Sequence, residues 1–208
     1  LVECIDYAVD HDAADVLLVG YNFGQDPDFL QRFTAGMDFV AVQEDLPRAL
    51  RKARAKGVGV VAMKTLRGAK LNDMKPFERP GGTFAQAAFR WVLSSPNVDA
   101  LVVTMKDPAQ VDEYLVASGT AAPTRSDLHL LERYEARNGH EQCRYGCNDC
   151  EGACPLGVPI ADVLRTRMYA EDYGDLALAR RELALLSTDA SACLSCAHQV
   201  CAGSCPHG

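Results

Sequence analysis

The chain has 208 residues, of which 48% are hydrophobic and 24% charged, as is ordinary for a globular protein. Its formal net charge is −7, and because its acidic residues are scattered, nothing resembles the basic patch that nucleic-acid-binding proteins carry. No apolar run reaches the roughly 18 residues of a membrane-spanning helix, and no secretory signal is visible. We therefore expect neither a nucleic-acid partner nor a membrane span. The chain begins at Leu1 inside a helical pattern, so we expect that its natural N-terminus is missing.

Helical and strand patterns alternate through residues 1–118. We predict helices over residues 1–12, 46–57, 83–95 and 107–118, and strands over residues 15–23, 58–63 and 99–105. The pattern of residues 33–44 fits neither type, and we leave them unassigned.

Three of these helices carry recognisable boundary signals. Pro47 suits the first turn of its helix, and Gly57 suits the point where that helix ends. Thr83 and Gln86 have the spacing of a capping box. Asp107 suits the cap of the last helix in this region.

Strands that alternate with helices predict a parallel sheet joined by crossover helices, which is the α/β class. Each predicted strand is a continuous apolar run, as is typical of strands whose two faces are both covered. Three such strands do not make a stable open sheet, so we expect them to be part of a barrel whose remaining strands lie upstream.

A linker and a smaller domain follow. Residues 119–142 suit a linker with a short helix capped by Ser126, and residues 143–208 suit a small, mostly α-helical domain. Within that domain we predict helices over residues 159–174 and 175–186. Each helix carries an apolar stripe, formed by Ile160, Val163, Leu164 and Met168 in the first and by Leu176, Leu183 and Leu186 in the second.

The cysteines are concentrated in this smaller domain: of nine, eight lie between residues 143 and 205. They form two groups with the spacings Cys-x3-Cys-x2-Cys-x3-Cys-Pro and Cys-x2-Cys-x4-Cys-x3-Cys-Pro, and each group ends Cys-Pro-x-Gly. Three close cysteines and a fourth before proline are typical of [4Fe–4S] ligands, because a tight loop brings several thiolates to one cluster. The groups are Cys143, Cys147, Cys150 and Cys154, and Cys193, Cys196, Cys201 and Cys205.

The repeat also predicts how the ligands are shared. In two-cluster proteins the fourth cysteine of each group usually binds the other cluster. We therefore predict two [4Fe–4S] clusters, one held by Cys143, Cys147, Cys150 and Cys205 and the other by Cys193, Cys196, Cys201 and Cys154.

Other readings of the cysteines remain open. Zinc favours two Cys-x2–4-Cys pairs and fits the Cys-Pro endings poorly. A disulfide framework suits a short secreted domain better than cysteines appended to an α/β region. His140 and His198 lie near the ligands and are alternative metal-binding residues, although most histidines so placed are solvated. Cys4 lies on a helix stripe and is most simply a core residue.

Four segments resemble the aldo/keto reductase family, in the branch with a C-terminal ferredoxin-like domain. They are LLVGYNF at 17–23, GVGVVAMKTLRG at 57–68, FAQAAFRWVLSSPNVDALVVTMKDPAQVDEY at 84–114 and CRYGCNDCEGACPLGVPI at 143–160. The resemblance implies an eight-stranded β/α barrel with a nicotinamide cofactor at the C-terminal ends of its strands. Residues 1–118 would then be the C-terminal half of a TIM-type (β/α)8 barrel, and residues 143–208 a ferredoxin-like domain. The family's catalytic Asp, Tyr, Lys and His would precede Leu1, so we assign no catalytic residue.

The resemblance also implies cofactor contacts. Four residues match the turn along the cofactor's pyrophosphate: Thr65, Leu66, Arg67 and Gly68. Lys106 stands near the position that holds a 2′-phosphate, and Glu113 matches a residue near the adenine. Leu18 replaces the family's nicotinamide-binding glutamine, Met63 its stacking aromatic ring, and Tyr114 its asparagine.

The sequence thus predicts an oxidoreductase that acts on a small-molecule carbonyl or alcohol, with two [4Fe–4S] clusters, NAD(P)H and a redox partner. The alternative is an iron–sulfur electron-transfer protein whose barrel is a non-catalytic scaffold, which Leu18 and Met63 favour. A third hypothesis gives the clusters a purely structural role. Because clusters need reduced thiolates and iron delivery, we expect a cytoplasmic protein.

Overall fold

The computed structural model describes residues 2–25, 45–68, 71–119, 122–138, 149–171, 174–188, 190–197 and 199–205. The chain divides into two compact units, Leu1–Arg137 and Asn138–Gly208. The division falls inside the segment 119–142 that the sequence marks as a linker. Cys143, Cys147 and the unassigned residues 33–44 lie outside the described residues.

A small parallel sheet organises the first unit. Its strands are β1 (Val16–Gly20), β2 (Gly59–Met63) and β3 (Ala100–Leu101), in the order β1-β2-β3. Both pairs of neighbours are parallel, and Val61 of β2 lies between Leu18 of β1 and Ala100 of β3. The predicted α/β class and the parallel direction are confirmed.

The helices of the first unit begin and end close to the predicted positions. They are α1 (Val2–Asp10), α2 (Leu46–Ala55), α3 (Leu71–Met74), α4 (Phe84–Leu93), α5 (Pro108–Leu115) and α6 (Arg125–Asn138), with 3-10 turns at Phe23–Gln25 and Lys75–Phe77. Pro47 lies in the first turn of α2, and Gly57 follows the helix with a φ of +77°. Thr83 and Gln86 form the predicted capping box of α4, and the Asp107 side chain accepts a hydrogen bond from the Gln110 N–H at the start of α5.

The sheet is covered on one face. Leu17 and Val19 of β1 and Val60 and Ala62 of β2 are buried in a core shared with the helices of this unit. On the opposite face Val16 and Leu18 are each 59% exposed, and the side chains of β2 there are only half-buried. Within the described residues helices cover one face only, so coverage of the second face stays a prediction.

The third strand is shorter than predicted, since β3 covers two residues of the expected 99–105. Beside it β2 ends at Met63, and the next residue, Lys64, has a φ of +57° that turns the chain away. The last ladder bond runs from the Val102 N–H to the Ala62 carbonyl, at 2.9 Å. Beyond Val102 the chain therefore has no extended partner on β2 to pair with.

Helix α6 corrects the interpretation of residues 119–142. The helix has 14 residues and begins at Arg125, so Ser126 lies inside it and does not cap it. The Thr124 hydroxyl accepts from the Asp127 N–H at 3.2 Å, and the Asp127 carboxylate accepts from the Thr124 N–H at 2.8 Å. Leu131 and Tyr134 of α6 belong to the core of the first unit. Most of the predicted linker is thus a packed helix of that unit.

Every regular element described in the second unit is helical, as predicted. These elements are α7 (Ile160–Glu171), α8 (Leu176–Ala184) and α9 (Val200–Gly203), with 3-10 turns at Glu151–Ala153 and Ser191–Ser195. None of the helices in the described ranges is both long and apolar enough to cross a membrane.

Helices α7 and α8 pack against each other. Ala161 and Thr166 of α7 and Ala179 of α8 are the buried positions. The apolar stripes read from the sequence are only partly buried: Leu164 is 40% exposed and Leu176 is 53% exposed, while the other five stripe residues are half-buried.

Candidate functional site

The structure describes six of the eight predicted cluster ligands: Cys150, Cys154, Cys193, Cys196, Cys201 and Cys205. None of these six forms a disulfide; Cys193 is exposed and the other five are half-buried. Cys143, Cys147, His140 and His198 lie outside the described residues. Cys4 is exposed on α1, so its prediction as a core residue is wrong.

The two cysteine groups share a backbone turn. The Cys150 carbonyl accepts from the Ala153 N–H at 3.1 Å, and the Cys201 carbonyl accepts from the Ser204 N–H at 3.2 Å. Each turn leads directly to the last cysteine of its group, Cys154 or Cys205. The repeat seen in the sequence is therefore also a repeat of local structure.

These two turns are neighbours within the second unit. Helix α9, which contains Cys201, lies against the 3-10 turn Glu151–Ala153, which separates Cys150 from Cys154. The fold thus brings the end of one cysteine group next to the end of the other. Such packing is what an exchange of fourth ligands between the groups would need.

Backbone strain is also present within the second group, between Cys196 and Cys201. Gln199 precedes α9 in the left-handed region, with a φ of +42° and a ψ of +34°. A residue other than glycine rarely adopts this conformation, and it is held only where the surrounding structure enforces it. The residue in this conformation immediately precedes the helix that carries Cys201.

The cysteine-bearing segments meet, but the six described thiols do not converge. Among the residues that the structure describes, no three side chains of His, Cys, Asp or Glu lie close enough together to hold a metal ion. This applies to the predicted set of Cys154, Cys193, Cys196 and Cys201, every member of which is described. The bonds to a bound cluster themselves draw its ligands together, so convergence of the thiols is coupled to metal binding.

The described part of the second unit buries few apolar side chains. Its buried apolar side chains in the described part are Val158, Ala161 and Ala179, whereas the first unit buries a large cluster that includes Phe23, Phe84 and Trp91. A domain of this size rarely folds on so little apolar burial without disulfides or metal. The chemistry of the donor set, thiols carried on repeated turns, therefore fits a metal-held centre.

A second candidate site lies at the C-terminal ends of the strands in the first unit. The loop after β2 contains Lys64, Arg67 and Gly68 with φ values of +57°, +45° and +94°. Thr65 between them is 2% exposed, and within the described part of the chain its hydroxyl oxygen has no hydrogen-bond partner. A strained loop with a buried hydroxyl is a frequent feature of ligand sites.

The Arg67 side chain turns into the protein. Its Nη1 lies 2.9 Å from Oε2 of Glu135, a residue of α6 that is 2% exposed. The guanidinium passes so close to Gly24 that a Cβ atom there would overlap it. Burial raises the pKa of the Glu135 carboxyl, and the Arg67 charge opposes that rise.

Two further side chains hold the same loop. The Tyr134 hydroxyl of α6 donates to the Arg67 carbonyl at 2.6 Å. The Asn22 amide donates to the Lys64 carbonyl at 3.2 Å, and its oxygen accepts from the Gly24 N–H at 3.0 Å. Sequence reasoning missed Asn22, Tyr134 and Glu135 as parts of this site. The spacing of Leu128, Leu131 and Tyr134 was the signal that α6 has a buried face.

The remaining predicted cofactor residues lie at different depths. Leu66 is buried. Lys106, which follows β3, is exposed, and its backbone N–H donates a hydrogen bond to the Gln110 side chain at 2.8 Å. Glu113 is half-buried on α5, and its carbonyl accepts from the Gln86 side chain at 2.8 Å. Because the strands are parallel, residues 65–68 and Lys106 share one edge of the sheet.

The three residues that depart from the family pattern are also placed. Leu18 and Met63 project on the uncovered face of the sheet. Tyr114 is buried against Phe89, with the ring centroids 5.0 Å apart, and burial raises its pKa to about 12.

A cavity of about 370 Å³ lies elsewhere in the first unit. Its lining includes Arg79, Arg90, Thr124 and Asp127, and Arg90 pairs with Asp127 at 3.1 Å. It contains none of the residues that the sequence marks as functional.

Comparison with models of protein families found no match, and comparisons with curated proteins and with solved structures found no significant match either.

Proposed function

We propose that the second unit binds two [4Fe–4S] clusters and that the chain is an oxidoreductase of the aldo/keto reductase type. The observation that carries the proposal is the contrast in the second unit between scarce apolar burial and abundant thiols. Its described part buries Val158, Ala161 and Ala179 as its apolar residues, and bonds to metal would add folding free energy to this small amount of burial. When bound, the clusters would supply one-electron redox chemistry.

The ligands of each cluster are proposed to come from both cysteine groups. One set is Cys143, Cys147, Cys150 and Cys205, and the other is Cys193, Cys196, Cys201 and Cys154. The contact between α9 and the turn Glu151–Ala153 supports this sharing, because it places the last cysteines of the two groups on neighbouring segments. Zinc sites typically use pairs of cysteines, and a repeated four-cysteine group that ends in Cys-Pro does not fit that pattern well.

The first unit is proposed to be the C-terminal half of a TIM-type barrel that binds NAD(P)H. In such a barrel the helices cover only the outer face of the sheet, and the inner face meets the other strands. The uncovered face with Leu18 and Val61 is compatible with that arrangement. Thr65 and Arg67 lie at the C-terminal edge of the sheet, where barrel enzymes bind their ligands. The substrate would be a small carbonyl or alcohol, with a separate protein as redox partner.

The decisive experiment measures iron and acid-labile sulfide in the full chain after anaerobic purification. Two [4Fe–4S] clusters predict about eight iron and about eight sulfide atoms per chain. The double variant Cys193→Ser with Cys196→Ser should lose about half of both, while Cys4→Ser, outside the two groups, should lose neither. Stoichiometric zinc without sulfide would contradict the proposal.

A second candidate is an electron-transfer protein whose barrel is a non-catalytic scaffold. The pairing of Arg67 with Glu135 favours it, because this arginine is already neutralised by a carboxylate. Reversible reduction of the clusters with no binding of NADPH or NADH would select the scaffold hypothesis. Clusters that do not reduce reversibly would instead select a structural role.

The proposed compartment is the cytoplasm, where reduced thiols and cluster assembly coexist. Cell fractionation with an antibody against the chain tests it, and recovery in a membrane or secreted fraction would contradict it.

A further inference from the structure

Helix α6 makes two separate contacts with the loop 64–68, and neither was foreseen from the sequence. The Tyr134 hydroxyl holds the Arg67 carbonyl at 2.6 Å. Oε2 of Glu135 lies 2.9 Å from Nη1 of Arg67, which makes an ion pair whose angles are not those of a hydrogen bond. Consecutive residues of one helix therefore fix both the backbone and the side chain of Arg67.

The position of α6 is itself well determined by packing. The Tyr134 ring stacks on Phe84 with centroids 4.4 Å apart and meets the edge of Phe23 at 5.8 Å. All three rings are buried in the core. The helix therefore cannot shift without disrupting the core, and Glu135 is presented to Arg67 by a rigid element.

Electrostatics decides what this contact does to a ligand. Glu135 is almost fully buried, and the Arg67 side chain is 21% exposed. Breaking such a pair leaves a carboxylate without its cation in a weakly polar environment, which is costly. An anionic ligand at the loop would thus meet an arginine whose charge is already matched, and it would have to displace Glu135 to use it.

We propose that Glu135 is a positioning residue that competes with anionic ligands for Arg67 and so sets the affinity of the loop 64–68 for phosphate-bearing molecules. The inference rests on the proposed nucleotide site. In the resting protein a ligand would meet this loop without the charge of Arg67. Arg67 adds its charge only when the contact with Glu135 opens.

The test compares NADPH binding by calorimetry in the full chain and three variants. Glu135→Gln keeps the shape of the side chain but removes the competing charge, so Arg67 gains a charge-assisted bond to the ligand and the dissociation constant should fall roughly tenfold. Glu132→Gln is the matched control, since Glu132 lies on the same helix and pairs with His129 at 2.9 Å, and it should bind as the unaltered chain does. The double variant Arg67→Gln with Glu135→Gln should lose the gain.

Inorganic pyrophosphate, used as a second probe, separates this inference from the proposed function. If the unaltered chain binds NADPH and Glu135→Gln binds it equally or more weakly, the competition is refuted and the nucleotide site stands. If no form binds NADPH, the nucleotide part of the proposed function fails. Competition is then upheld only if Glu135→Gln binds pyrophosphate more tightly than the unaltered chain. Circular dichroism melting of each variant checks that the fold is intact.

Discussion

Tyr134 connects the loop after β2 to the core through one hydrogen bond from its hydroxyl group. Its ring lies among Phe23 and Phe84, while its hydroxyl reaches the Arg67 carbonyl at 2.6 Å. A buried carbonyl that loses its donor keeps the full cost of desolvation. At the scale of the residue, this bond couples a packed helix to a strained loop.

Tyr134→Phe should lower the free energy of unfolding by about 1 kcal/mol, because the ring contacts stay and the hydrogen bond is lost. Urea unfolding followed by circular dichroism measures the change. Tyr7→Phe serves as control, since Tyr7 is 64% exposed and stacks on His11 through its ring. An unchanged midpoint for Tyr134→Phe would show that the Arg67 carbonyl finds another donor.

Asp6 connects α1 to α2 through two cations. Its carboxylate lies 2.8 Å from Arg48 and 3.2 Å from Lys52. Hydrogen bonds from Arg48 and then Lys52 lower its pKa from 3.8 to about 2. A carboxyl group whose pKa is lower in the folded than in the unfolded state stabilises the fold at pH values above the unfolded pKa. That stabilisation is lost as the pH falls through the folded pKa.

Asp6→Asn should therefore lower the urea midpoint at pH 7, and the difference from the unaltered chain should shrink as the pH falls from about 4 to about 2. The effect is modest because the pair is solvated and screened by salt. Asp15→Asn is the control, because Asp15 takes part in none of the ion pairs between described residues. A gap of constant size across this pH range would argue against the ion pairs as its cause.

At the scale of the element, the strands show how a one-sided sheet behaves. Leu17 is 9% exposed and Leu18 is 59% exposed, although both are leucines in the middle of β1. Alternation of side chains across the strand explains the difference, because helices cover one face only in the described part of the chain.

Leu17→Ala should cost about 2–4 kcal/mol of unfolding free energy, whereas Leu18→Ala should cost less than about 0.5 kcal/mol. The two variants control for each other, since the chemical change and the strand are the same. Denaturant titration of both gives the comparison, and an equal loss in each would mean that the second face is also buried in solution.

The start of α4 offers a second comparison at this scale. The Thr83 hydroxyl accepts from the Gln86 N–H at 3.3 Å and so satisfies an otherwise unpaired donor of the first turn. Thr83→Ala should lower the unfolding free energy by about 1 kcal/mol. Thr83→Ser retains a hydroxyl group that can cap the helix, so it should lower the unfolding free energy much less. Thermal melts of both variants measure this. If Thr83→Ala and the unaltered chain melted at the same temperature, the cap would not contribute to stability.

At the scale of the whole molecule, the two units differ in how many apolar side chains their described parts bury. The first has a continuous apolar core from Ile5 to Tyr134. The second buries small residues such as Ala161 and Ala179 in its described part. Under the proposed function, metal takes the place of the missing core.

Removal of iron by chelation under oxidising conditions should therefore abolish amide protection in α7 and α8 and leave that of α2 and α4 intact. Hydrogen exchange read by mass spectrometry resolves the two units in one experiment. Reconstitution with iron and sulfide should restore protection in the second unit. Protection of α7 and α8 that survives the loss of metal would show that packing alone folds this unit.

Much of the architecture was determined by the sequence. The alternating patterns predicted the parallel α/β class, and Pro47, Gly57, Thr83 and Asp107 marked helix ends that the structure confirms. These signals are local, because a cap or a stop acts through hydrogen bonds and dihedral angles within a few residues. The cysteine spacing is local too, and it predicted ligand groups that stay a prediction.

Only the tertiary structure decided which apolar faces are buried, how long β3 is, and what holds Arg67. Leu17 and Leu18 are the same residue type, yet among the described residues helices pack on the side of Leu17 and leave Leu18 exposed. Glu135 lies far along the chain from Arg67, and no periodic pattern in the sequence predicts that the two residues pair. Such contacts depend on where distant segments meet in three dimensions, so they follow from packing and are invisible to patterns that extend over a few residues.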